Sequence, residues 1–137
     1  MEQTLSIMLI EDDKLEKLRF RKTISTFNLK HTIIDADNGE DALKILKEIT
    51  HLPELIILDL SMPEMNGLEF LKTLKGNMFW KYIPIVVLTT SVNHRDLLYS
   101  YEIGIAGFIK KPLKHVDYVE KIKRVISYWS INEVIEN

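Results

Sequence analysis

The sequence contains no cysteine, so neither a disulfide framework nor thiolate chemistry is open to its 137 residues. It also lacks any Lys/Arg-rich run. Eighteen basic residues stand against 20 acidic ones, the net charge is −2 and the pI is about 6.1, which leaves no electrostatic footprint for nucleic acid. No apolar stretch approaches the roughly 18 residues of a membrane span. The opening Met1-Glu2-Gln3-Thr4 carries no basic leader region, so a cytoplasmic protein with no direct nucleic-acid or membrane partner is expected. The four histidines, at positions 31, 51, 94 and 115, are too scattered for a metal-ligand pair and read as surface residues. There is no internal repeat, low-complexity segment or linker. What the chain does have is 46% hydrophobic residues, enough to bury the core of one domain with no room for a second.

Two periodicities alternate along it. Ser6–Ile10, Thr32–Ile34, Leu55–Leu58, Ile85–Leu88 and Gly107–Ile109 are short, nearly continuous apolar runs, as expected of parallel strands covered on both faces. Between and after them lie amphipathic stretches at Lys14–Phe27, Glu40–Ile49, Leu68–Leu74, Asp96–Ile103 and Lys114–Trp129. Asn38-Gly39, Leu52-Pro53, Asn66-Gly67, Ile83-Pro84 and Lys111-Pro112 mark turns or element ends. Five strand–helix units predict an α/β fold, a five-stranded parallel doubly wound sheet over residues 1–130, with 131–137 as a tail or helix extension. Chemistry in such a sheet is expected outside the carboxyl ends of the strands.

Those ends carry a consistent set of residues. Glu11-Asp12-Asp13 follows the first strand and Asp59 the third, and adjacent parallel strands bring such carboxylates together. Like charges so close raise a pKa or call for a cation; an all-oxygen set suits a hard ion such as Mg2+, which keeps room for phosphate. The fourth strand delivers Thr89-Thr90-Ser91 and the fifth Lys110-Lys111-Pro112. Metal, ammonium, hydroxyl and a nucleophilic carboxylate together make a cradle for a phosphoryl group. Asp13 reads as the N-cap of the helix starting at Lys14 rather than a ligand, and Lys110 as a solvated neighbour of Lys111.

Ile-Glu-Asp-Asp at 10–13, Leu-Asp-Leu-Ser-Met-Pro-Glu-Met-Asn-Gly at 58–67, Val-Leu-Thr-Thr-Ser at 87–91 and Ile-Lys-Lys-Pro-Leu at 109–113 resemble the receiver domains of two-component response regulators, over nearly the whole chain. Leu-Thr-Thr-Ser and the closing Tyr128-Trp129 resemble the single-domain subgroup that serves bacterial phytochrome kinases. The resemblance implies a flavodoxin-like strand order 2-1-3-4-5 with five helices. It implies a phosphoacceptor switch, not an enzyme, with Asp59 accepting a phosphoryl group from a sensor histidine kinase or histidine phosphotransfer protein. It further implies Mg2+ held by Glu11, Asp12, Asp59 and the Ser61 carbonyl, with Thr89 and Lys111 meeting the phosphoryl oxygens. By the same resemblance, Thr89 and Phe108 are expected to form the switch, Pro112 to follow a cis bond, and the face of the fourth helix, fifth strand and fifth helix to change shape or form a homodimer. The fourth helix, with Leu97, Leu98, Tyr99, Tyr101 and Ile103, has more apolar surface than one inward stripe requires.

Thr90, where the family often has Ala or Gly, narrows the approach, and Asn66 replaces a frequent Asp without consequence for the turn. Ser61 and Ser91 lack the carboxylate or amide that would position water, so a long-lived phosphorylated form is expected. An aspartyl-phosphate hydrolase would need an acid at position 61 and a cap segment. A phosphorylation-independent module of the same fold would have lost the acceptor or the acid pair. A flavin-binding protein would not place three carboxylates where a phosphate must sit. Apart from the main site, Phe79, Trp80 and Tyr82 read as local packing, and Tyr118, Tyr128 and Trp129 as core on one face and partner surface on the other.

Overall fold

A computed structural model describes residues 2–60 and 67–135. Strand β1 (Ser6–Ile10) leads into α1 (Lys14–Ser25), β2 (Thr32–Ala36) into α2 (Gly39–Glu48) and β3 (Leu55–Leu58) into α3 (Gly67–Gly76). Then come β4 (Ile85–Thr89) with α4 (His94–Ile103) and β5 (Gly107–Lys110) with α5 (His115–Ser130). All pairings are parallel and the order is β2-β1-β3-β4-β5.

Alternate side chains on each strand feed two cores, because successive residues of a strand point to opposite faces. Met8, Ile10, Ile56, Leu58, Ile85 and Val87 pack with Ala42 and Leu46 of α2 and Phe70, Leu71 and Leu74 of α3. On the other face Ile7, Leu9, Leu55, Ile57, Val86 and Leu88 pack with Phe20 and Ile24 of α1 and Tyr118, Ile122 and Ile126 of α5. Each such aliphatic side chain contributes about 1.5–3 kcal/mol on leaving water, enough in sum to hold the sheet without crosslinks.

Local chemistry sets the helix ends. Asp13 is indeed the N-cap of α1, its carboxylate accepting from the Leu15 and Glu16 amides. The helix stops at Ser25, short of Phe27, because the Ser25 and Thr26 hydroxyls donate to the Lys22 and Thr23 carbonyls and compete with its continuation. Helix α4 begins two residues earlier than the pattern suggests, since the Asn93 side chain accepts from Arg95 and Asp96, and it ends at Gly104, whose φ of 116° is easy only for glycine. Strand β2 runs two residues past Ile34: Asp35 pairs with Leu9 in register and its carboxylate meets Arg21 of α1, so a polar residue continues the strand. Ile10 pairs with Leu58, which puts the residues that follow each strand side by side at one edge.

Candidate functional site

Three backbone hydrogen bonds carry the sheet one step beyond its strands: Glu11 N–H to the Ala36 carbonyl at 3.1 Å, Asp59 N–H to Ile10 at 3.1 Å, and Lys111 N–H to Thr89 at 2.7 Å. They fix the first residue after β1, β3 and β5 against its neighbour. As a result carboxylate oxygens of Glu11, Asp12 and Asp59 lie within 4.8 Å of one another, with Glu11 and Asp59 buried and Asp12 exposed. Lys111, also buried, sends its Nζ between them, 2.9 Å from Glu11 Oε1 and 3.9 Å from Asp59 Oδ2. Lys111 reaches this point although no peptide bond is cis among the described residues. The expected cis bond before Pro112 is therefore corrected to trans: with its amide bonded to the Thr89 carbonyl, Lys111 reaches Glu11 without one.

The electrostatics are those of carboxylates short of positive charge. Burial pushes the Glu11 carboxyl up to about 7, and the Asp59 charge adds to the rise while Lys111 opposes it. For Lys111, burial acts downward but is outweighed by Glu11, Asp59 and Glu16, so its ammonium is held above the usual lysine range. Among the described residues the set is all oxygen, with two buried members and one open to solvent, and its mutual repulsion falls when a cation arrives. A hard divalent ion that retains water fits such donors; a soft metal seeking His or Cys does not.

Thr89, at the end of β4, is buried, and Phe108 of β5 is half-buried against the α2–α3 core. Thr90 and Ser91 are exposed, as is Lys110, whose carbonyl accepts from Lys121 Nζ. Ser61 and Asn66 lie outside the described residues. On α4, Leu98 and Tyr101 are about half exposed and Ser100 is fully buried. Of the aromatic group before Pro84, Trp80 is core, whereas Phe79 and Tyr82 are exposed, which corrects the packing expectation for those two. Tyr118 is core and Tyr128 exposed. His31 is more than a surface residue: its Nδ1 accepts the Leu5 amide at 2.9 Å.

Sequence reasoning passed over Glu16, whose Oε2 lies 3.4 Å from Lys111 Nζ. An acid in the first turn of a helix carries no sign of a long-range partner, so the sequence offered no signal for it. Glu16 and Tyr118 join Glu11, Asp59 and Lys111 around one small crevice.

Comparison with known proteins points one way. Residues 7–123 match the response regulator receiver domain family. Response regulator Rcp1 of Synechocystis sp. is 33% identical over 128 residues, covering 90% of this chain and 87% of that protein. The polar-differentiation response regulator DivK of Brucella anthropi is 32% identical over 118 residues, 86% of this chain and 93% of its own. Among solved structures, the phosphorylated cyanobacterial phytochrome response regulator RcpA superposes with a TM-score of 0.89 at 27% identity, over 96% of this chain and 98% of that one. The Mn2+-bound form of Rcp1 gives 0.86 at 30% identity, over the same shares.

Proposed function

Because this chain belongs to the response regulator receiver domain family of two-component signalling, we propose that it is a stand-alone regulator whose Asp59 accepts a phosphoryl group in a Mg2+-dependent reaction. The donor is a partner sensor histidine kinase or histidine phosphotransfer protein, and the chain is a cytoplasmic switch with at most slow self-dephosphorylation rather than an enzyme acting on substrates. The observation that carries this reading is the convergence of Glu11, Asp12 and Asp59 beside the buried Lys111 ammonium.

Each residue has a role in that reading. Glu11, Asp12, Asp59 and the Ser61 carbonyl would hold the cation. When bound, Mg2+ supplies positive charge to the phosphoryl oxygens and lowers the repulsion met by an incoming anion. An Asp59 carboxylate oxygen attacks phosphorus in line as the donor's bond to it breaks. Lys111 and the Thr89 hydroxyl meet the oxygens on which charge gathers. Thr89 moving toward the phosphoryl group makes room for Phe108 to turn inward, and the α4-β5-α5 face changes shape. The half-buried state of Phe108 and the exposed Leu98 and Tyr101 support that face as the output and as a homodimer contact.

The receiver unit spans residues 1–130, with 131–137 as an extension. Similarity to Rcp1 and RcpA, the latter described as a phytochrome response regulator, supports a phytochrome-type kinase as the partner. Incubation with Mg2+ and acetyl phosphate followed by intact mass spectrometry tests the core of the proposal. The wild type gains one phosphoryl group, and neither Asp59→Asn nor wild type with chelator does. Labelling of Asp59→Asn to the wild-type level would place the acceptor elsewhere and end this reading.

A further inference from the structure

Glu16 stands in the first turn of α1, where an acid suits the partial positive charge of a helix N-terminus. That preference accounts for its residue type but not for where its carboxylate goes. Its Oε2 is 3.4 Å from Lys111 Nζ, nearer than Asp59 Oδ2 at 3.9 Å, and its Oε1 is 3.7 Å from Arg19 Nη1. Arg19 is itself held. Its guanidinium lies 3.8 Å from the centre of the buried Tyr118 ring on α5, and its Nε donates to His115 Nδ1 at 3.3 Å. Glu16 thus stands between two cations, part-exposed, with one carboxylate oxygen turned to each.

From this geometry we infer that Glu16 is a positioning residue: it holds the Lys111 ammonium toward α1 and away from Asp59, and so slows phosphoryl capture. The inference rests on the phosphoacceptor reading of Asp59 given above. Two effects act in the same direction. An ammonium shared with Glu16 is less available to the oxygens of an incoming phosphoryl group, and the Glu16 carboxylate repels the charge of that group. With acetyl phosphate as donor, an Asp59 oxygen forms the new P–O bond while acetate leaves with the electron pair of the old one. Charge gathers on the phosphoryl oxygens during that exchange, and Lys111 is needed there, but Glu16 draws it the other way.

Initial rates of phosphoryl-protein formation from acetyl phosphate and Mg2+, read by intact mass on the full chain, test the inference. The set is wild type, Glu16→Gln, Glu16→Met and Glu16→Asp. Gln and Met differ in shape but both remove the charge, and each should label about two- to fivefold faster, the range for loss of a part-exposed ion pair. Asp keeps the charge and should stay within about twofold of wild type. A residue that merely packed the helix would order the variants by shape, not charge. Labelled wild type with equal or lower rates in Gln and Met overturns the inference alone. Wild type that takes no label at all removes the phosphoacceptor reading and this inference with it.

Discussion

The Lys111 ammonium lies 2.9 Å from a Glu11 oxygen, and both side chains are about 95% removed from solvent, at 6% and 5% exposure. The pair ties the end of β5 to the end of β1 across the edge of the sheet. Asp59 sits within reach of the same ammonium, 3.9 Å away.

Removing one partner from such a pair leaves a buried charge uncompensated, which costs about 3–5 kcal/mol unless the remaining group can become neutral. Glu11 can do so by taking a proton. Lys111→Met should therefore destabilise the metal-free chain by about 3 kcal/mol near pH 8 and by much less near pH 5. Urea unfolding at the two pH values checks this, and equal losses at both would remove the ion pair as the cause.

Glu11 also sets a pH dependence in the unmutated chain. Burial raises its carboxyl from 4.5 to about 7, so between those values the native chain holds a proton that the unfolded chain has released. The stability it contributes is full below 4.5 and is lost as pH rises through about 7. The melting temperature of metal-free protein should fall across that window, and Glu11→Gln should flatten the fall. Added Mg2+ should offset it, because a cation favours the ionised carboxylate. A melting temperature that climbs through the window would contradict the assignment.

Helix α4 buries a polar residue against the core. Ser100 is its buried residue, and the Ser100 hydroxyl has no hydrogen-bond partner among the described residues. Ser100→Ala should raise stability by about 1 kcal/mol, combining relief of an unpaired polar group with better helix propensity. The denaturant midpoint measures it; a drop of that size would mean that the hydroxyl has a partner.

Neither Ser61 nor Ser91 carries a carboxylate or amide, and Ser91 is exposed just past the end of β4. Phosphorylated Asp59 should accordingly persist for minutes or longer, with Ser61→Asn shortening that time by giving the attacking water a hydrogen-bonding partner. Loss of the phosphoryl mass after donor removal gives the rate directly, and wild-type decay within seconds would rule the idea out.

The legible parts of this fold are those with a local cause. Buried parallel strands show as apolar runs, so the residues after Ile10, Leu58, Leu88 and Ile109 could be assigned to one edge before any coordinates. The β2 boundary was not legible, because Asp35 interrupts the apolar run and Arg21, which meets its carboxylate, stands 14 positions away. The end of α1 was missed for a smaller reason: Ser25 and Thr26 are ordinary helix-surface residues until their hydroxyls turn back to the main chain.

Sequence alone determined which chemical groups stand at the carboxyl edge, since strand ends and caps depend on a few neighbouring residues. Only the tertiary structure decided which groups meet. Lys111 bonds Glu11 and Glu16, 100 and 95 positions away, ahead of Asp59, and it does so through a trans bond to Pro112. Nothing local links those residues; α1 and α5 packing on one face of the sheet brings the Glu16 carboxylate to the lysine.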